Sequence, residues 1–198
     1  MRHKGVKKDE TRRKIVAAAS HGFRKHGYGG IGVDGLAKSA GVTSGAFYSH
    51  LGSKDGAFNI ALAVGLDEVI DSLPKFQSEH GTAWVKVFVE YYLSTKHQND
   101  LEYGCAMATL TPEVVRFGDE MHELYEEKMS VIADIIVQGL AGGTEEDRFS
   151  RAWSVLGVLI GGVNIARSMK SIEASEAVAN AIRLAAISAA GETKKVAE

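Results

Sequence analysis

The chain has 198 residues, with 23 Lys+Arg against 25 Asp+Glu, two prolines, 22 glycines and one cysteine. That length allows one or two small domains whose core needs no covalent staples. A single cysteine excludes an internal disulfide framework and any Cys-cluster zinc or iron–sulfur site.

The start of the chain is charged and lacks the apolar core of a secretory signal. The longest apolar stretch, Trp153 to Ala166, is shorter than the ~20 residues of a membrane span and contains Ser154 and Asn164. A soluble, reducing, cytoplasmic setting is the expectation. The net charge of −2 conceals an asymmetry: residues 1–55 hold 11 Lys+Arg and 4 Asp+Glu, whereas the rest hold 12 and 21. A basic module that meets a polyanion, joined to an acidic body with another task, fits this split.

Scarce proline, abundant alanine and 3.6-residue apolar periods predict an all-α protein. The first helix runs from about Lys8 to His26, with Ile15, Ala18, Ala19, Gly22 and Phe23 on one face, and Gly27-Tyr28-Gly29-Gly30 ends it. Val33 to Ala40 forms a two-turn helix, and Gly41 breaks it. Thr43 caps a second short helix, Ser44 to His50, because its hydroxyl can accept an orphan backbone N–H. Ser53 caps a fourth helix that Pro74 stops near Leu73.

In the acidic body, Thr82 to Thr95 reads as a helix and Lys96 to Glu102 as a polar connection. Gly104 to Leu110 reads as a short helix. Thr111-Pro112 carries a helix-start signature, opening a helix or helix pair to Ala141 with a break expected at Gly118. After a Gly142-Gly143 loop, Glu145 to Met169 and Ile172 to Ala190 form the last two helices. The resulting division is 8–54 as a basic head and 55–190 as a body, with 1–7 and 191–198 as flexible tails.

Residues 33–50 hold the informative pattern: short helix, tight glycine turn, short helix. A helix-turn-helix needs this geometry because its second helix must enter a major groove only ~12 Å wide. Val42, Phe47 and Leu51 are expected to pack inward, leaving Thr43, Ser44, Tyr48 and His50 outside as candidates for phosphate or base contact. Lys54 can meet a phosphate at the start of the next helix. An ordinary αα-hairpin is the alternative.

The segments Ile15-Val-Ala-Ala-Ala through Gly27-Tyr28, Val33 through Leu51, and Ser53-Lys54-Asp55 together resemble the N-terminal domain of TetR/AcrR transcriptional repressors over about residues 10–60. The resemblance implies a three-helix DNA-binding head and a helical ligand-binding body. It also implies a homodimer built on the last two helices, and DNA contacts at Thr43, Ser44, Tyr48, His50 and Lys54. Three positions depart from the usual pattern: Leu51 for phenylalanine, Gly32 for a capping Thr or Ser, and Gly35 inside the second helix.

Independently of that likeness, the helix from Glu145 is apolar on nearly all sides in its second half. Gly157, Gly161 and Gly162 would admit a close neighbour, as would the Ala177, Ala181, Ala185, Ala189 series. Two such helices from each of two chains predict a homodimer on a palindromic operator.

The body offers Trp84, Phe88, Tyr91, Met121, Tyr125 and Trp153 as lining for a small apolar or electrophilic effector, although aromatics at helical spacing also build plain core. Cys105 falls at an expected helix start, where the dipole favours a thiolate, while Glu102 opposes it. The Gly104-Cys105-Ala-Met-Ala stretch is similar to one in a TetR subgroup that includes repressors of electrophile-detoxifying reductases, some of which sense reactive carbonyls or oxidants through cysteine.

His122 and Glu126 lack a third ligand, so no metal is expected, and no cofactor fingerprint is present. Repression is the family habit. Two other functions remain open: an all-helical enzyme or carrier with a nucleophilic Cys105, and a ligand-independent architectural DNA-binding protein.

Overall fold

A computed structural model describes residues 2–191, with side chains described from Lys8 onward. In chain order the helices are α1 (Arg2–Gly30), α2 (Val33–Ser39), α3 (Ser44–Leu51), α4 (Lys54–His80), α5 (Trp84–Tyr92), α6 (Thr95–Asn99), α7 (Ala106–Val114), α8 (Asp119–Gly139), α9 (Glu145–Arg167) and α10 (Ile172–Ala189), with a 3-10 turn at Gly81–Ala83. No strand occurs among the described residues, and the fold is all-α. Packing groups the residues up to Leu66 with Leu101–Tyr125, and Asp67–Asp100 with the residues from Glu126 on.

In the first unit, α1 buries Ile15, Ala19 and Phe23, three positions four residues apart, against Leu36 and Ala37 of α2 and Phe47 and Leu51 of α3. The absence of a side chain at Gly22 is needed here: a Cβ would lie 2.5 Å from Leu36. α1 begins at Arg2, ahead of the expected Lys8, and it is kinked where glycine was expected to end it, at Gly27 with φ 71°. Met1 and 192–198, parts of the expected tails, lie outside the described residues.

In the second unit, α9 and α10 pack along their length. α9 buries Ala152, Val155, Leu156, Leu159, Val163 and Ala166, and α10 buries Ala179 and Ala186. By length and composition α9 could cross a membrane; the buried face accounts for much of that apolar character. Gly162 is already used within the chain, since a Cβ there would meet Ile182 at 2.3 Å, whereas Gly157 and Gly161 face open space.

Three sequence expectations are corrected. Pro74 does not stop α4, which continues to His80. The turn beyond it is held by Phe76, whose ring meets Phe88 and Tyr91 at 5.4 and 5.5 Å, and by Gln77, which donates to the Ile135 carbonyl at 2.7 Å. Lys96–Glu102 is not a plain polar connection, because α6 occupies most of it.

Thr111-Pro112 starts no helix; both lie inside α7. The Thr111 hydroxyl donates to the Met107 carbonyl, one turn back, at 2.5 Å. The break near Gly118 does occur, between α7 and α8.

α6 is short, yet it buries His97 and Gln98. The His97 ring N–H donates to the Tyr92 carbonyl at 2.7 Å, and Gln98 donates to the Leu93 carbonyl at 2.8 Å. From α9, Arg167 donates to the carbonyls of both His97 (2.9 Å) and Gln98 (3.1 Å). Burial and the neighbouring Arg167 cation hold the His97 pKa below the ordinary histidine value of 6.5.

The unfolded chain therefore takes up this proton first, and stability falls as the pH drops below about 6.5. Replacement of His97 by glutamine keeps an N–H donor but removes the titration. Thermal melts between pH 5 and 7 should then show a shallower acid decline for H97Q than for the native chain; an identical slope would refute the assignment.

Candidate DNA-binding interface

The candidate interface lies on α2, α3 and the first turn of α4. Gly41 adopts φ 69°, a left-handed conformation that costs glycine little, so the chain reverses sharply. The Val42 N–H then bonds the Ala37 carbonyl at 3.0 Å. Thr43 is the N-cap of α3, its Oγ accepting from the Ala46 N–H at 3.2 Å. Phe47 and Leu51 are buried against α1 and α2. Gly52, with φ 77°, ends α3, and the Ser53 hydroxyl accepts from the Gly56 N–H at 2.9 Å as α4 begins.

Each predicted contact residue now has a definite chemistry. Thr43 is exposed, and because its oxygen serves the cap as an acceptor, its O–H remains a donor. Tyr48 is half exposed, its ring edge-on to Phe47 at 6.0 Å. His50 is half-buried in the last turn of α3.

Ser44 differs: its hydroxyl donates to Asp34 of α2 at 2.5 Å, leaving it acceptor capacity only. The sequence reading missed Asp34, since nothing local links positions ten apart. Lys54 is half-buried, with its ammonium 4.2 Å from the centre of the Tyr28 ring. Only the Gly27-Tyr28 pair hinted at Tyr28, and the contact spans two helices.

The candidate effector residues divide between the two units. In the second, Trp84 and Phe88 are buried and Tyr91 is half exposed, in one aromatic cluster with Phe76, Tyr92 and His97. The Trp84 indole N–H donates to the Gly139 carbonyl at 2.8 Å. A cavity of about 190 Å³ lies beside it, lined by Thr82, Val85 and Leu140. Trp153 is exposed on α9, edge-on to Phe149 at 6.3 Å.

In the first unit, Cys105 is the half-buried N-cap of α7. Burial, and the nearby Cys105, raise the pKa of Tyr125, while its bond to Thr111 lowers it; that bond is 2.9 Å long. Met121 is buried beside an open cavity of about 410 Å³ that also touches Asp55, Asn59 and Phe117. His122 bonds the Val114 carbonyl at 2.9 Å. Among the described residues no group of three His, Cys, Asp or Glu is placed to hold a metal ion.

The family model described as "Bacterial regulatory proteins, tetR family" matches residues 15–59, which include all five contact candidates. Over those residues the chain is similar to the DNA-binding domain of the tetR family. Solved structures with the same fold include the following three. A TetR-family regulator from Cytophaga hutchinsonii has a TM-score of 0.76 at 18% identity, over 92% of this chain and 96% of its own. One from Chloroflexus aurantiacus has 0.73 at 20%, over 93% and 96%. The reduced form of NemR from E. coli has 0.72 at 19%, over 87% and 95%.

No curated protein matches the chain. The family matched over residues 15–59 is described as one of regulatory proteins. The TetR-type head is the part of the chain to which both the motif and the family match point.

Proposed function

We propose that this TetR-family chain is a ligand-released repressor that binds a palindromic operator as a homodimer in the cytoplasm. The observation that carries the reading is the set of donors on the helix-turn-helix and the helix start that follows it. The free Thr43 O–H, the Tyr48 phenol and the Lys54 ammonium lie on α3 and the first turn of α4, with His50 beside them and Ser44 placed to accept from a base N–H rather than to donate to a phosphate.

A second copy would be taken up on α9 and α10. Phe149, Trp153 and Ile165 are exposed along α9, and Ile172 and Leu184 on α10. Gly157 and Gly161 leave room for a close helix. Two-fold pairing of this kind would set half-sites about one helical turn apart, roughly 34 Å, or a multiple of it. Release requires an effector that binds the DNA-free state more tightly. Trp84, Phe88 and Tyr91, which share one aromatic cluster in the second unit, remain the proposed lining for it.

Fluorescence anisotropy with DNA from around the protein's own gene, against excess unrelated duplex, tests the reading. Binding that survives competition supports a sequence-specific regulator; binding that competes away leaves a distant operator or a non-specific basic head and raises the rival readings. If no small molecule then changes DNA affinity or melting temperature, the architectural alternative stands in its place.

Cys105 is the proposed point of attack for an electrophilic effector. It stands at the N-cap position of α7, and the opposing Glu102 carboxylate is engaged by Lys25 at 2.9 Å. Mild electrophile treatment of the folded protein is expected to add one adduct by intact mass, with none on the C105S variant, and to weaken DNA binding. An unmodified native chain would sink this part of the reading.

A further inference from the structure

At the kink of α1, the left-handed Gly27 leaves the Tyr28 N–H outside the helical ladder, and Glu113 of α7 accepts it at 3.2 Å. A side chain at position 27 would meet that same carboxylate at 2.9 Å, so glycine is required there on two counts. The Tyr28 ring is then wedged among aromatics. Phe23 lies 6.0 Å away and stacked, while Phe58 at 5.5 Å and Phe117 at 5.0 Å stand edge-on.

Two groups of the first turn of α4 meet this fixed ring. The Lys54 ammonium lies 4.2 Å from its centre, and the Tyr28 hydroxyl donates to the Asp55 carboxylate. That bond, with burial, pushes the phenol pKa up to about 12, so the ring stays neutral and its hydroxyl stays a donor. The ring face attracts a cation through its quadrupole. A lysine on four flexible carbons otherwise spreads over many rotamers.

We propose that Tyr28 is a positioning residue for DNA binding: its ring holds the Lys54 ammonium at the start of α4, ready for a phosphate of the duplex. The proposal rests on the DNA-binding reading above and adds a residue outside the helix-turn-helix that serves it. Tyr28 itself need not touch DNA. Its hydroxyl engages Asp55, whose carboxylate is the nearest charge in sequence that would oppose a phosphate.

A phosphate contact is independent of sequence, so a mixed-sequence duplex at low salt is a sufficient probe. Tyr28→Phe serves as the reference, and a trifluorinated phenylalanine at position 28 keeps the ring's shape while draining its negative face. Full-length variants are first compared by thermal melting.

The trifluorinated chain is expected to bind DNA about two- to fivefold more weakly than Tyr28→Phe, with a salt slope shallower by a fraction of the ~1 that a full phosphate contact contributes. In a Lys54→Ala background the same pair should bind alike. Equal binding of the two ring variants with Lys54 present would overturn the proposal. So would an equal loss with and without Lys54, the mark of a merely structural ring.

If Lys54→Ala costs nothing while Tyr48→Ala abolishes binding, the Lys54 contact and the role of Tyr28 fall together and the DNA-binding reading stands. If the native chain binds no duplex at all, that reading fails and takes the proposal with it.

Discussion

Replacing Tyr48 with alanine is expected to weaken specific DNA binding about ten- to a hundredfold, the cost of one good contact at a base edge. The side chain is half exposed and touches the head only through the edge of Phe47. Phe47 itself is fully buried and remains in place, so the melting temperature should hardly move. Affinity and stability are thereby separated, which a core residue would not permit.

Lysine at 54 should behave differently. Lys54→Ala weakens binding to all sequences nearly uniformly and lowers the salt slope by about 1, because a phosphate contact carries no sequence information. Anisotropy titrations at several salt concentrations, on operator and on mixed-sequence duplex, distinguish the two. A Tyr48→Ala chain that binds its operator as tightly as the native protein would remove α3 from the interface.

Phe58→Ala is expected to destabilise the chain by about 3–5 kcal/mol, the range for emptying a buried aromatic site. Phe58 is fully buried. Its ring is edge-on to Phe23 at 5.2 Å and Tyr28 at 5.5 Å, and stacked on Phe117 at 4.9 Å with the planes 3° apart. One side chain therefore joins α1, the start of α4 and the segment after α7.

The surrounding rings are too large and too constrained to collapse into the space left behind. At about 2–4 °C per kcal/mol for a chain of this size, a melting temperature roughly 10 °C lower is expected. Phe58→Leu, which keeps most of the volume, should lose much less. A loss under 1 kcal/mol for the alanine variant by denaturant titration would show that the aromatic cluster is not the keystone of this unit.

What the sequence alone determined lies where physics is local. The glycine turn at 41, the Thr43 and Ser53 caps, the inward Phe47 and Leu51 and the helix start at Cys105 each follow from residues within about one turn of one another. All are present in the structure. The helix-turn-helix was legible for that reason.

Longer-range partners decided the rest. Pro74 sits inside a helix because Phe76 and Gln77 find partners on α5 and α8. The polar-looking residues 95–99 form a helix that buries His97 and Gln98, and Arg167, some 70 positions later, satisfies the carbonyls of those two. Gly162 and Gly161 are neighbours in sequence, yet only one faces α10.

At the candidate interface, the contact from Ser44 to Asp34 and that from Lys54 to Tyr28 cross from one helix to another. Sequence periodicity says which face a residue occupies. Only packing says what stands opposite it, and the free energy of a buried polar group, a proline or a poised lysine is set by that opposite partner.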